Sequence, residues 1–195
     1  MRKTLRFAAI TIWIIFSRAY DAYCTYQHTP DLSKEANPLV SVLGLTWTPL
    51  LMVITILSLY AIYAYYRTVF SPMNLLPVEK GLSFREVSTF VYLGKSDHWV
   101  SLLYKYPKSI SHLNQVIGHT LAKCLVFAGV VSTIMWMLIN HTEFYLQYHS
   151  APLIYGILVA GCIIIIYRWF ATMYKHYLEQ DLMGNLVSSD LPIGD

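Results

Sequence analysis

Near the start of this chain an apolar run that begins at about Phe7 is interrupted by Thr11, Arg18, Asp21 and Thr25. At 100° per residue these four fall on one face of a helix, so their polar groups form a single stripe that must turn toward protein. If hydrocarbon begins near Phe7, a rise of 1.5 Å per residue puts Arg18 about 16 Å and Asp21 about 21 Å deep. A charge at such depth costs roughly 2.5 to 3.5 kcal/mol on insertion scales, so each needs a partner or a water-filled cavity. Each is the other's nearest candidate. Two readings follow: an ion pair that holds helices together, or a site in which Arg18 holds an anionic group and Asp21 serves as acid or base.

Across a short polar turn stands Glu35-Ala36-Asn37-Pro38. Pro38 suits the first position of a helix and Asn37 its N-cap, so the reading places Glu35 and Asn37 at the start of a second helix, close to Asp21 and Thr25 at the end of the first. A connection of about eleven residues makes the two helices antiparallel neighbours. The candidate binding set is therefore Arg18, Asp21, Thr25, Glu35 and Asn37, with Asp21 and Glu35 the candidates for catalysis. Two carboxylates sharing a site require Arg18 between them, a bound cation, or a proton on one of them. Ordinary capping by Asn37, with Glu35 complementing the helix dipole, is the structural alternative. Asp21-x-x-x-Thr25, the short turn, Glu35-x-Asn37-Pro38 and the apolar helix after them resemble the first hairpin of a family of small, functionally uncharacterised prokaryotic integral membrane proteins. The resemblance covers residues 18 to 66 and implies a membrane hairpin but no activity.

A second polar stripe, His112, Gln115, His119 and Lys123, shares one helix face. His112 and His119 are separated by about 10 Å along a helix, too far to ligate one metal from that helix alone. Proton handling is one reading, the wet end of a helix the other. The other histidines are spread over different connections, with His28, His141 and His149 on one expected side. Cys24, Cys124 and Cys162 form no C-x-x-C pair. The expectation is no metal and no cofactor.

The elements that position these groups follow from apolar runs. Of 195 residues 56% are apolar and only 13% charged, far from the roughly 25% charged of a soluble domain. About 20 apolar residues in helix cross a bilayer. The reading is an all-α polytopic membrane protein of about four transmembrane helices, spanning about 7–26, 39–66, 116–139 and 151–169, with a kink at Pro49. The transmembrane domain covers 1–177 and an acidic cytoplasmic tail covers 178–195. Arg2, Lys3, Arg6, Arg67, Lys80, Arg85, Lys95, Lys105, Lys108, Lys123, Arg168 and Lys175 all fall on the side of the N-terminus, and only Lys34 on the other. By the excess of basic residues in cytoplasmic loops, both termini lie inside. The first run lacks a cleavage site and is read as a retained helix. Within the long inner connection 68–115, two short amphipathic helices are expected. Ser83 and Glu86 have capping-box spacing before Phe84, Val87 and Val91, with a stop at Gly94. Asp97 is then the expected cap of the second, in which Trp99, Leu102, Leu103 and Tyr106 fall at i, i+3, i+4 and i+7, with a stop at Pro107. These segments either lie in the headgroup plane or pack on the end of the bundle.

Basic residues are scattered, so despite a net charge of +3 nucleic acid is not the expected partner. The lipid bilayer is, together with a membrane-protein partner or a second copy of the chain, in a cell (inner) membrane. No nucleophile and base set or phosphate loop is visible. The first expectation is a non-enzymatic membrane subunit or scaffold whose outer-leaflet polar cluster binds a partner helix, lipid or ion. A membrane-embedded enzyme acting on a lipid or lipid-linked substrate comes second, and a carrier or channel component third.

Overall fold

The computed structural model describes residues 1–143 and 150–189, with side chains to Leu182. Its elements are α1 (Arg2–His28), α2 (Pro38–Ser41), α3 (Trp47–Phe70), α4 (Phe84–Leu93), a 3-10 turn at Trp99–Leu103, α5 (Ile110–His141) and α6 (Ala151–Ser189). No strand occurs among the described residues. The chain is all-helical, and α3, α5 and the Ala151–Leu182 part of α6 are each long and apolar enough to cross a membrane.

The bundle is organised around α5, which packs against α1, α3, α4 and α6. In a membrane, helices gain little from hiding apolar surface from one another, so close approach of backbones and van der Waals contact matter most, and small residues permit both. Gly118 of α5 lies against the Ala64 carbonyl and the Thr68 methyl of α3, leaving no room for a Cβ. Gly129 of α5 meets Ser17 of α1, whose Oγ would sit 2.5 Å from an added Cβ. Gly161 of α6 takes the edge of the Phe127 ring. Around these contacts Ile14, Tyr65 and Ala122 join α1, α3 and α5 in one apolar cluster, with Phe7 stacked on Tyr65 at 5.8 Å. The Trp13 indole N–H donates across to the Val126 carbonyl at 3.2 Å.

The second apolar run departs from expectation. Asn37 does cap a helix, its Oδ1 accepting from Leu39 N–H at 3.0 Å with Pro38 at the first position. That helix ends at Ser41, however, and Gly44 takes a left-handed φ of 66° before α3 starts at Trp47. Pro49 therefore sits in the first turn of α3, where backbone N–H groups have no helical partner to lose. It begins the helix instead of kinking it. The Trp47 indole N–H ties this start to the α1–α2 turn by donating to the Pro30 carbonyl at 2.7 Å.

Between α3 and α5 the chain folds as local signals require. Ser83 and Glu86 form the reciprocal capping box of α4, and Gly94 closes it with φ 79°. Val87 and Val91 then pack with Leu75, Val116, Trp169 and Tyr177, so α4 belongs to the bundle. The second segment is a 3-10 turn, and its cap is His98. Asp97 instead accepts from His98 N–H, the Ser101 hydroxyl and Lys105 Nζ, the last at 2.6 Å. The hydrogen bond from Lys105 leads these in holding the Asp97 carboxyl down at about 2 and in raising the Lys105 ammonium. A carboxylate so depressed stabilises the fold above its ordinary range, and that contribution fades only as pH falls toward 2. Trp99, Leu103 and Tyr106 remain exposed.

Gly118→Ala drives a methyl into the α3 backbone and is expected to destabilise the protein by about 1 to 3 kcal/mol, as overpacking does. Gly156, also helical but with open space around it, is the control: Gly156→Ala is expected to be neutral or to stabilise by up to about 1 kcal/mol from helix propensity. Unfolding in micelles by titration with sodium dodecyl sulfate measures both.

Candidate functional site

The α1 charges turn into the groove against α5. Arg18 Nη1 lies 3.7 Å from Asp21 Oδ2, one turn along α1. Arg18 Nη2 donates to Ser132 Oγ of α5 at 3.2 Å, and the Trp136 indole N–H of α5 donates to Asp21 Oδ1 at 2.7 Å. Arg18 Nε is buried without a partner, so the guanidinium is held through one edge. Thr11, the first member of the stripe, has a buried hydroxyl with no partner and takes no part. Farther along, the His28 ring lies 5.0 Å from that of Trp136, and Cys24, Trp136 and Ile139 pack together in one apolar cluster.

The α1–α2 turn is built from its own side chains. Asp31 Oδ1 accepts from Ser33 N–H and hydroxyl and from the Thr29 hydroxyl, and these bonds, Ser33 foremost, hold its carboxyl below the usual range. Glu35 Oε1 accepts from Asn37 N–H at 2.8 Å. Burial pushes the Glu35 carboxyl above its ordinary value, the Asn37 N–H opposes this, and the Asp21 charge adds to the rise. No Lys, Arg or His among the described residues forms an ion pair with Glu35. Arg18 therefore serves Asp21 alone and does not bridge the two carboxylates.

These pieces enclose a cavity of about 490 Å³. Arg18, Asp21, Thr25, Glu35 and Asn37, the five residues singled out from sequence, all line it. Asn37 is the least available, since its Oδ1 caps α2. His28, Lys34, Trp47, Trp136 and Tyr155 complete the polar and aromatic lining, while Leu50, Leu51 and Ile54 of α3 and Ile154 and Leu158 of α6 form an apolar wall. Sequence reasoning missed Ser132, Trp136 and Tyr155 as partners. The spacing Gly129, Ser132, Trp136 marks a face of α5 with room and donors, but only once α1 is known to lie on it.

The second stripe divides. His112 and Gln115 are buried, not wet: a His112 ring nitrogen is 2.8 Å from the Val91 carbonyl, and Gln115 Nε2 donates to the Ser71 carbonyl at 2.7 Å. They fasten α4 and the end of α3 to α5, because a carbonyl in the last turn of a helix or just past its end has no intrahelical donor and needs one when buried. His119 stacks near Trp169 and lines a second cavity of about 390 Å³ with Met73, Met173, His176 and Glu179. Lys123 is exposed. No cluster of three or more His, Cys, Asp or Glu side chains able to hold a metal is present among the described residues; His149 lies outside them. All three cysteines are free thiols.

No protein-family model matches the chain, and neither a curated protein nor a solved structure matches it.

The Arg18–Asp21 pair makes a double-mutant prediction. Removing one partner leaves a shielded charge alone, whereas removing both replaces the pair by apolar packing. Asp21→Leu and Arg18→Leu are each expected to destabilise, and the double variant to cost less than their sum, with a coupling of at least about 1 kcal/mol. Strict additivity in micelle unfolding would show that the pair carries no structural coupling.

Proposed function

We propose that the protein is a four-span membrane protein with α1 as the fourth span and both termini cytoplasmic, working as a non-enzymatic binding subunit whose outer cavity receives the polar end of an amphiphile. The orientation rests on the basic residues, which crowd the side of the α1 N-terminus and leave Lys34 alone on the other. By this reading the chain resides in a cell (inner) membrane and the cavity opens at the outer leaflet. The observation that carries the function is the mixed lining of that cavity: Arg18, Asp21, Thr25 and Glu35 from α1 and the turn after it, Leu50, Leu51, Ile54, Ile154 and Leu158 from α3 and α6. An ion alone would not use the apolar wall. A headgroup with an attached chain uses both, and mostly apolar pockets with a few placed polar groups are what small ligands occupy.

A catalytic reading is favoured by one further feature. Asp21 is fixed by an arginine and an indole N–H, while burial biases the nearby Glu35 toward its protonated form. Carboxylates in such unlike settings divide into base and acid. In that version the amphiphile is a lipid or lipid-linked substrate, with Glu35 giving and Asp21 accepting a proton.

A benzoylphenylalanine at Leu158, on the cavity wall, and one at exposed Val159 test the binding function by photocrosslinking in native membranes. The expected result is an adduct of one discrete small mass at 158 and a mixture of bulk lipids at 159. A polypeptide adduct at 158, or the same mixture at both positions, would overturn it.

A further inference from the structure

The lining of the outer cavity also selects the class of head it takes. We propose that the bound amphiphile carries an alkylammonium group, an inference that rests on the binding function above and specifies its ligand. The charged and titratable groups facing the cavity are Arg18, Asp21, His28, Lys34, Glu35 and Tyr155. Arg18 is compensated by Asp21 at 3.7 Å and by the Ser132 hydroxyl. Lys34 is exposed at the turn. Glu35 is half-buried and has no cationic partner among the described residues. Burial raises the Glu35 carboxyl, so a cation beside it is what lets it ionise, and the described residues place none within ion-pair distance.

The rings make the same selection independently. Trp47, Trp136 and Tyr155, from three different helices, line the cavity with the carboxylates. Both indole N–H groups are already engaged, that of Trp47 with the Pro30 carbonyl and that of Trp136 with Asp21. Neither indole has its N–H left to donate to an anion. The ring faces, which carry partial negative charge, attract alkylated ammonium ions, and several rings beside a carboxylate are the usual arrangement for holding one. An anionic head would instead meet Glu35, with one unengaged guanidinium N–H, Arg18 Nε, left to receive it. The apolar wall of α3 and α6 then receives the chain attached to the ammonium.

The same chemistry is offered by a choline-type lipid headgroup and by a free cationic amphiphile, and the test separates them. Full-length protein in neutral maltoside micelles is titrated with 12-bromododecyl trimethylammonium and, in parallel, with 12-bromododecyl phosphate. Bromine quenching of tryptophan fluorescence reports binding. The expected result is saturable quenching by the ammonium compound at about tenfold lower concentration than by the phosphate. Glu35→Gln is expected to remove that preference and Glu35→Asp to restore part of it, with unfolding in micelles confirming that both variants fold. Competition by phosphatidylcholine but not by phosphatidylglycerol would identify a lipid headgroup as the source; no competition by either would identify a free alkylammonium. Equal binding of both heads, a preference for phosphate, or a Glu35→Gln variant with unchanged selectivity overturns the ammonium class and leaves amphiphile binding standing. Quenching that does not saturate, and that Leu158→Trp does not change, would overturn the binding function itself.

Discussion

If α1 crosses the membrane as proposed, its arginine and aspartate, one turn apart, cannot face acyl chains, and the arrangement of the bundle meets that constraint. The side of α1 that carries them is laid against α5, where Ser132 and Trp136 supply a hydroxyl and an indole N–H. Those bonds are short only because the two helices approach closely at Gly129, where Ser17 occupies the space of a missing side chain. Backbone approach, polar reach and charge compensation are thus one feature: a larger residue at 129 would move α1 outward and carry Arg18 and Asp21 away from their partners.

The two ends of the bundle are built differently. At the end where α1 begins, the 71–109 connection is fastened inward by His112, Gln115 and the Tyr177 hydroxyl, which donates to the Glu79 carbonyl and accepts from Leu82 N–H. Each of these contacts satisfies a backbone group with no partner in a regular helix, either in the last turn of α4 (Val91) or in the connection itself (Ser71, Glu79, Leu82). At the other end the α1–α2 turn makes its hydrogen bonds largely within itself, and α2 stops after four residues. That leaves room between α1, α3, α5 and α6 for the cavity.

What sequence made legible was what is local or chemically conspicuous. Arg18, Asp21 and Glu35 stand out because a charge in or beside an apolar run demands an explanation, and all three face one cavity. The capping box at Ser83 and the stop at Gly94 are short-range signals and appear as read. The start of α3 was not legible, because residues 39–66 carry no charge to mark a break and Pro49 fits a first turn as well as a kink. His112 and Gln115 looked like the solvated end of a helix. Their real partners are carbonyls that only the folded connection brings near. Ser132, Trp136 and Tyr155 gave no signal, since a serine or an aromatic ring in an apolar helix is ordinary until a charge is placed beside it.

The central claim is that the polar face of α1 borders a sheltered, water-accessible space and not lipid. A nitroxide at Ala22, which lines the cavity, can be compared with one at Ile15, which is exposed on α1. Relaxation by polar nickel chelate and by oxygen in bilayers reports which medium each label meets. Faster relaxation by nickel than by oxygen at Ala22, with the reverse at Ile15, is the result predicted here. Oxygen-dominated relaxation at both positions would place the Arg18–Asp21 face against lipid and contradict the account.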